Sequence, residues 1–179
     1  MRLRTAKPQD YEQIERLYES AFPKEERKAF QYIIRIQPDI GLLVIEEDHA
    51  FCGFFSLVLY KDIVCIDYFA VSEAFRGKKI GTRALLALKE HYPGRKIALE
   101  IETPVKTAVN YAQRIRRQAF YERSGFTMLG LRFSVFVNDY SLMTLGGEIS
   151  EEEYLEIVKI MYDRKDVGTF TKKIVEEGV

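Results

Sequence analysis

Asp67-Tyr68-Phe69-Ala70-Val71-Ser72-Glu73-Ala74-Phe75-Arg76-Gly77-Lys78-Lys79-Ile80-Gly81-Thr82-Arg83-Ala84-Leu85-Leu86 decides how the rest of the chain is read. Its apolar start reads as a buried strand and its basic, glycine-bearing middle as a turn. Its end, with Ile80, Ala84, Leu85 and then Leu88 at helical spacing, reads as an amphipathic helix. A turn that opens into a helix leaves the first backbone N–H groups without internal acceptors, and the helix dipole makes that end positive. Such a place suits phosphate. Arg76, Lys78, Lys79 and Arg83 add full charges to it. The stretch predicts a ligand that carries a pyrophosphate.

Bulk properties confine that prediction. The chain has 179 residues, 47% of them hydrophobic, enough for one substantial core, and residues 1–179 are expected to form a single domain. Twenty-seven basic and 27 acidic residues cancel, so the basic cluster is local and the chain is no general polyanion binder. Aromatics are not interleaved with the basic residues, which disfavours nucleic acid. Cys52 and Cys65 lie in apolar runs and read as reduced core thiols. With His49 and His91 they show no metal-ligand spacing, so no metal is expected. The segment Met1 to Thr5 lacks the apolar run of a signal peptide. Phe51 to Tyr60 is about half of what a membrane-spanning helix requires. A cytoplasmic protein without a membrane partner is the expectation.

Arg2 to Ala6 can form a first strand. Asp10 suits a helix N-cap ahead of Tyr11, Ile14, Leu17, Tyr18, Ala21 and Phe22 at helical spacing. A second, charged helix is expected from Pro23 onward, with Phe30, Ile33 and Ile34 on its buried side. Leu42 to Ile45, Phe51 to Tyr60 and Ile63 to Val71 read as strands joined by hairpin turns. Pro93 and Gly94 end the helix that starts at Ile80. Ile97 to Glu102 alternates, with Ile97, Leu99 and Ile101 facing one way and Glu100 and Glu102 the other. A long helix is expected after Pro104 with Ala108, Ala112, Ile115 and Ala119 in one stripe, ending at Ser124-Gly125. Phe126 to Val137, with a break at Gly130, and Leu142 to Leu145 read as strands. Ser150 to Glu153 reads as a capping box opening a last helix, with Tyr154, Ile157, Val158 and Met161 inward. This order suits a three-layer α/β fold.

The P-loop is excluded because no lysine precedes Thr82, and the dinucleotide fingerprint because only two glycines, Gly77 and Gly81, are present. Arg76-Gly77-Lys78-Lys79-Ile80-Gly81, after a strand ending Phe69-Ala70-Val71, resembles the pyrophosphate motif of the GNAT superfamily of acyl-CoA-dependent N-acyltransferases. That motif is Arg/Gln-x-x-Gly-x-Gly/Ala. Arg76 and Gly81 match its ends, and Lys79 stands at the internal glycine. Phe120-Tyr121-Glu122-Arg123-Ser124-Gly125-Phe126 resembles a second signature, aromatic-Tyr-x-x-x-Gly-Phe. Where that signature often carries an asparagine, seven residues before the tyrosine, this chain has Arg114.

The resemblance implies a mixed, mostly antiparallel sheet flanked by helices in three layers, and acetyl-CoA as co-substrate. An amine would attack the thioester directly. The cofactor contacts it implies are Phe69, Ala70, Val71, Arg76, Gly77, Lys78, Lys79, Ile80, Gly81, Thr82, Arg83 and Phe120. Tyr121 would be the general acid for the departing thiolate. Glu100, Glu102 or Asp67 could take the amine's proton or hold a cationic acceptor, with salt bridges to nearby arginines as the structural alternative. Glu26 and Arg27 would orient the acceptor or cap a helix. Arg114, Arg116, Arg117 and Arg123 either reach the 3′-phosphate of CoA or form an ordinary basic helix surface. A small primary amine is the expected acceptor; a peptide acetyltransferase and a non-catalytic acyl-CoA sensor are the rivals. Phe133, Phe136 and Tyr140 make a homodimer contact possible.

Overall fold

The structure is a computed structural model that describes residues 1–135 and 138–162. The chain divides into two compact units, Met1–Arg95 and Lys96–Val179.

In the first unit four strands form an antiparallel sheet in chain order: β1 (Arg2–Thr5), β2 (Ile40–Glu47), β3 (Ala50–Tyr60) and β4 (Ile63–Val71). Asp48 and His49 both have positive φ, as a two-residue hairpin between β2 and β3 requires. Helix α1 (Tyr11–Ala21) buries Ile14, Leu17 and Tyr18, and the single turn α2 (Phe30–Ile33) buries Ile33. These side chains form one core with Val44, Phe54, Tyr68 and Ala70. Helix α3 (Ile80–His91) buries the four residues expected of it, Ile80, Ala84, Leu85 and Leu88.

Two bulges shape the middle of this sheet. Pairing steps from Ser56↔Tyr68 to Leu57↔Ile66, so Asp67 is an extra residue in β4. Pairing also steps from Ile45↔Gly53 to Glu46↔Phe51, which makes Cys52 the extra residue in β3. Beside it, β3 and β4 approach so closely that a Cβ on Gly53 would lie 2.2 Å from the Ala70 carbonyl oxygen. The Ser72 N–H donates to the Cys52 carbonyl at 2.8 Å, carrying the clasp one residue past the end of β4.

Two expectations change. The charged second helix is instead a 3-10 turn, Lys24–Glu26, an extended link through Arg27 to Ala29, and α2. The link is extended because the Tyr18 and Tyr68 hydroxyls take up its backbone groups. Asp10 does not cap α1 with its side chain. Its carboxylate accepts from the Lys7 N–H at 2.7 Å and from Arg4 Nη1 and Nη2 at 2.7 and 2.8 Å, while Arg4 Nε donates to Glu46. The Arg4 hydrogen bonds hold the Asp10 carboxyl below the usual carboxylate range, against the opposing effect of burial. A depressed carboxyl stabilises the fold above its unfolded value, about 3.9, and loses that contribution as the pH falls through its folded value. Asp10→Asn therefore costs roughly 1–3 kcal/mol at pH 7. Denaturant titrations from pH 7 down toward pH 2 should show this gap closing, and a gap that widened on acidification would reject the assignment.

In the second unit β5 (Lys96–Glu102), β7 (Asn138–Leu145) and β6 (Thr127–Val135) form an antiparallel sheet with β7 in the centre. Register along β6 breaks between Met128 and Arg132, around Gly130. Helix α5 (Glu151–Met161) opens with the expected capping box. Ser150 Oγ accepts from the Glu153 N–H at 3.2 Å, and Glu153 accepts from the Ser150 N–H at 3.0 Å. Tyr154, Ile157, Val158 and Met161 are buried. Helix α4 (Tyr111–Arg123) departs from its expected stripe. It starts after Ala108, Ala112 and Ile115 face outward, and the one buried residue is Arg114. A buried carboxylate, Glu102, explains that inversion, because an ion in the interior needs a counter-ion more than the helix needs apolar cover.

Candidate active site

In the first unit, β4 delivers the chain into a 3-10 turn, Glu73–Phe75, followed by an exposed loop. Gly77 has φ +76° and Lys79 has φ +59°, ψ +14°. Lys79, at the position where the family motif has glycine, thus adopts the conformation that glycine adopts most readily. The result is a backbone turned so that α3 begins at Ile80 with its leading N–H groups outward. The Arg83 N–H is bonded to the Lys79 carbonyl at 3.1 Å. Those of Ile80, Gly81 and Thr82 start the helix and have no intrahelical acceptor. No atom lies within 4 Å of a Cβ built on Gly77, so the loop is open above its backbone. Arg76, Lys78 and Lys79 are exposed, and Lys78 Nζ lies 5.4 Å above the Phe75 ring. Arg83 is committed elsewhere: Nη2 donates to Glu47 Oε1 at 2.7 Å, and Nη1 lies 2.7 Å from Oε2.

Replacing Lys79 by glycine should stabilise the protein by about 1 kcal/mol, because the left-handed conformation no longer costs. Thermal melting checks this, and a destabilised Lys79→Gly protein would overturn it.

On β4, Phe69 stacks on Phe55 with ring centroids 4.4 Å apart, Ala70 is buried and Val71 is half-buried. The bulged Asp67 accepts from Lys28 Nζ at 2.7 and 2.9 Å. The Tyr68 hydroxyl donates to the Glu26 carbonyl at 2.8 Å, and the Lys28 N–H donates to the Tyr18 hydroxyl at 2.8 Å. Burial pushes both phenols above their ordinary range. Arg27 Nη1 lies 3.2 Å from Glu19. The segment bearing Glu26 and Arg27 is therefore pinned to β4 by Tyr18, Tyr68 and Lys28. In sequence Tyr18 stands out only as a member of the helical stripe of α1, and nothing in the spacing of Tyr68 and Lys28 marks this pinning.

In the second unit, Tyr121 lies in the last turn of α4, and the chain's exit fixes it. The Phe126 N–H donates to the Tyr121 carbonyl at 3.1 Å, the Gly125 N–H to the Glu122 carbonyl at 2.9 Å, and Gly125 has φ +91°. This is a Schellman motif, whose accompanying apolar contact joins the same two positions. Here that contact is the Tyr121 ring edge-on to Phe126, centroids 5.6 Å apart, and the Phe120 ring lies 5.0 Å from that of Tyr121. Burial pushes the Tyr121 phenol up to about 12, with the charge of Arg117 pulling the other way.

Glu100 accepts a hydrogen bond from the Tyr154 hydroxyl. Glu102, 5% exposed, is enclosed. Arg114 Nη2 lies 2.8 Å from its Oε1, Arg117 Nη1 donates to its Oε2 at 3.0 Å, and Asn110 Nδ2 approaches both oxygens at 3.2 and 3.3 Å. Arg114 and Arg117 are thus drawn to a carboxylate rather than forming a basic surface. Phe133 stacks on Tyr140 at 6.0 Å and packs against Tyr154 at 5.0 Å, within its own unit; Phe136 lies outside the described residues. Cys52 and Cys65 are buried and not joined in a disulfide. Among the described residues, no group of His, Cys, Asp or Glu could hold a metal ion, and no helix is long and apolar enough to cross a membrane.

Comparison with known proteins gives this arrangement its class. Residues 11–126, more than half of the chain, match the acetyltransferase (GNAT) family, and the chain belongs to that family. It is an acyl-CoA-dependent acetyltransferase that uses acetyl-CoA. A solved GNAT-family acetyltransferase structure from Bacteroides thetaiotaomicron is 28% identical, with a TM-score of 0.73 over 88% of this chain and 93% of that one. The ribosomal-protein-S18-alanine N-acetyltransferase of Escherichia coli shares the fold at 17% identity, TM-score 0.62, covering 84% of this chain and 96% of its own. An aminoglycoside 6′-N-acetyltransferase in complex with coenzyme A does so at 16% identity, TM-score 0.62, covering 80% and 96%. The expected fold class is the one these structures share. A comparison with curated proteins found no match.

Proposed function

We propose that the protein moves the acetyl group of acetyl-CoA directly to a primary amine of a small, cationic molecule. The main-chain N–H groups from Gly77 to Thr82 would take the diphosphate, with Arg76, Lys78 and Lys79 around it, and Phe69 to Val71 would face the pantetheine arm. The amine nitrogen attacks the thioester carbon, the C–S bond breaks, and the sulfur takes a proton from the Tyr121 hydroxyl. Glu100, which accepts a hydrogen bond from the Tyr154 hydroxyl, takes the proton that the amine releases. Asp67, held by Lys28, and the pinned Glu26–Arg27 segment shape the acceptor side.

The observation that supports this reading is the placement of Tyr121 in the last turn of α4, where its carbonyl accepts from the Phe126 N–H and its ring packs edge-on against Phe126. CoA and ATP titrations in parallel, followed by thiol release across polyamines, amino acids, aminoglycosides and an N-terminal peptide, test it. Binding of CoA but not ATP, with turnover of small amines above the peptide, is expected. Binding without thiol release on any amine would make the protein a sensor, and preference for the peptide would move the acceptor to proteins.

A further inference from the structure

Helix α4 carries Tyr121, yet it has little apolar material to hold it in place. Ala112 and Ile115 face outward, and the residue that it buries most fully is an arginine. What fixes the helix is polar. Arg114 sends Nε to Asn110 Oδ1 at 2.7 Å, Nη1 to the Thr103 carbonyl at 2.9 Å and Nη2 toward Glu102 at 2.8 Å. Arg117, one turn further, reaches the other oxygen of the same carboxylate. Two residues three apart on a helix, tied to the two oxygens of one rigid β5 side chain, set both the rotation of the helix about its axis and its position along that axis. Tyr121 lies seven residues beyond Arg114 and four beyond Arg117, on the same side of the helix.

We propose that Glu102 is a positioning residue that clamps α4 through Arg114 and Arg117 and so sets where Tyr121 presents its hydroxyl. The geometry sets this against the role of proton acceptor. Both carboxylate oxygens are already engaged by cationic or amide donors, and the side chain is shut from solvent at 6% exposure. A proton acceptor needs an open lone pair within reach of the proton. The inference rests on the acid role of Tyr121, and the test separates the two.

The test is a double-mutant cycle on kcat with Glu102→Gln, Tyr121→Phe and the two combined, each confirmed folded by its melting curve. If Glu102 acts through the placement of Tyr121, Glu102→Gln costs on the order of ten- to a hundredfold with the tyrosine present. It then costs less than about twofold once the hydroxyl is gone, because there is nothing left to misplace. A base acting on the amine, or a plain loss of stability, costs the same factor in both backgrounds, and that outcome overturns the inference while leaving Tyr121 as the acid. A Glu102→Gln enzyme at the parent rate also overturns it. Tyr121→Phe at the parent rate removes the acid assignment and this inference together. Should Glu102→Gln fail to fold, Arg117→Gln takes its place in the cycle, since that side chain is 37% exposed and its loss breaks one arm of the clamp.

Discussion

Tyr121→Phe should lower kcat about a hundredfold or more while leaving the KM for acetyl-CoA and the melting temperature close to the parent values. The ring is what packs against Phe126 and Phe120, and phenylalanine keeps it, so the Schellman lock survives. Only the hydroxyl is lost, and with it the proton proposed for the leaving thiolate. The pH dependence follows from the sign of the shift. A general acid works while protonated, and burial pushes this phenol up to about 12, so its deprotonation should limit kcat only near that pH, well above the ordinary phenol value near 10. In Tyr121→Phe that alkaline limb disappears. A steady-state pH series on both proteins reads this, and equal rates would end the assignment.

Gly53→Ala should be the most damaging small substitution in the first unit. The added Cβ would stand 2.2 Å from the Ala70 carbonyl oxygen and 3.1 Å from Val71 Cα, both backbone atoms that no rotamer change can move aside. The strands must part where they are closest, next to the Cys52 bulge and the bond from the Ser72 N–H. We expect a loss of about 3 kcal/mol and a melting temperature lower by about 6–12 °C for a chain of this length. Since Ala70, Val71 and Ser72 lead into the loop proposed to take the diphosphate, the KM for acetyl-CoA should rise too. Gly77→Ala is the comparison: its φ is positive as well, but a Cβ there meets nothing within 4 Å, so it should cost only about 1 kcal/mol. Calorimetry on the two variants decides it. A Gly53→Ala protein that melts within a degree of the parent would show that the approach is not tight.

The parts of this molecule legible in the sequence are those set by local rules. The strand–turn–helix around Arg76 follows from period and composition. The end of α4 follows from Gly125, since glycine past a helix end marks the turn that pins Tyr121. What stayed hidden depends on pairing between distant residues. The extra residue at Asp67 exists because β3 and β4 slip past each other, and no property of Asp67 announces it. The buried Arg114 looks like surface charge until Glu102, twelve positions earlier, is seen beside it. The broken second helix follows from two tyrosine hydroxyls competing for backbone groups at Lys28 and Glu26. Lys79 is the reverse case: the family glycine is missing from the sequence, and the glycine conformation is present in the backbone.

The two cysteines have a practical corollary. Both sulfurs are sealed in the first unit's sheet at 0% exposure, and burial pushes the Cys52 thiol up, away from the reactive thiolate. A chromogenic disulfide reagent mixed with the folded enzyme will therefore register liberated coenzyme against a nearly blank protein background. The same dye left without substrate becomes a clock for unfolding, its slow colour counting each molecule that opens.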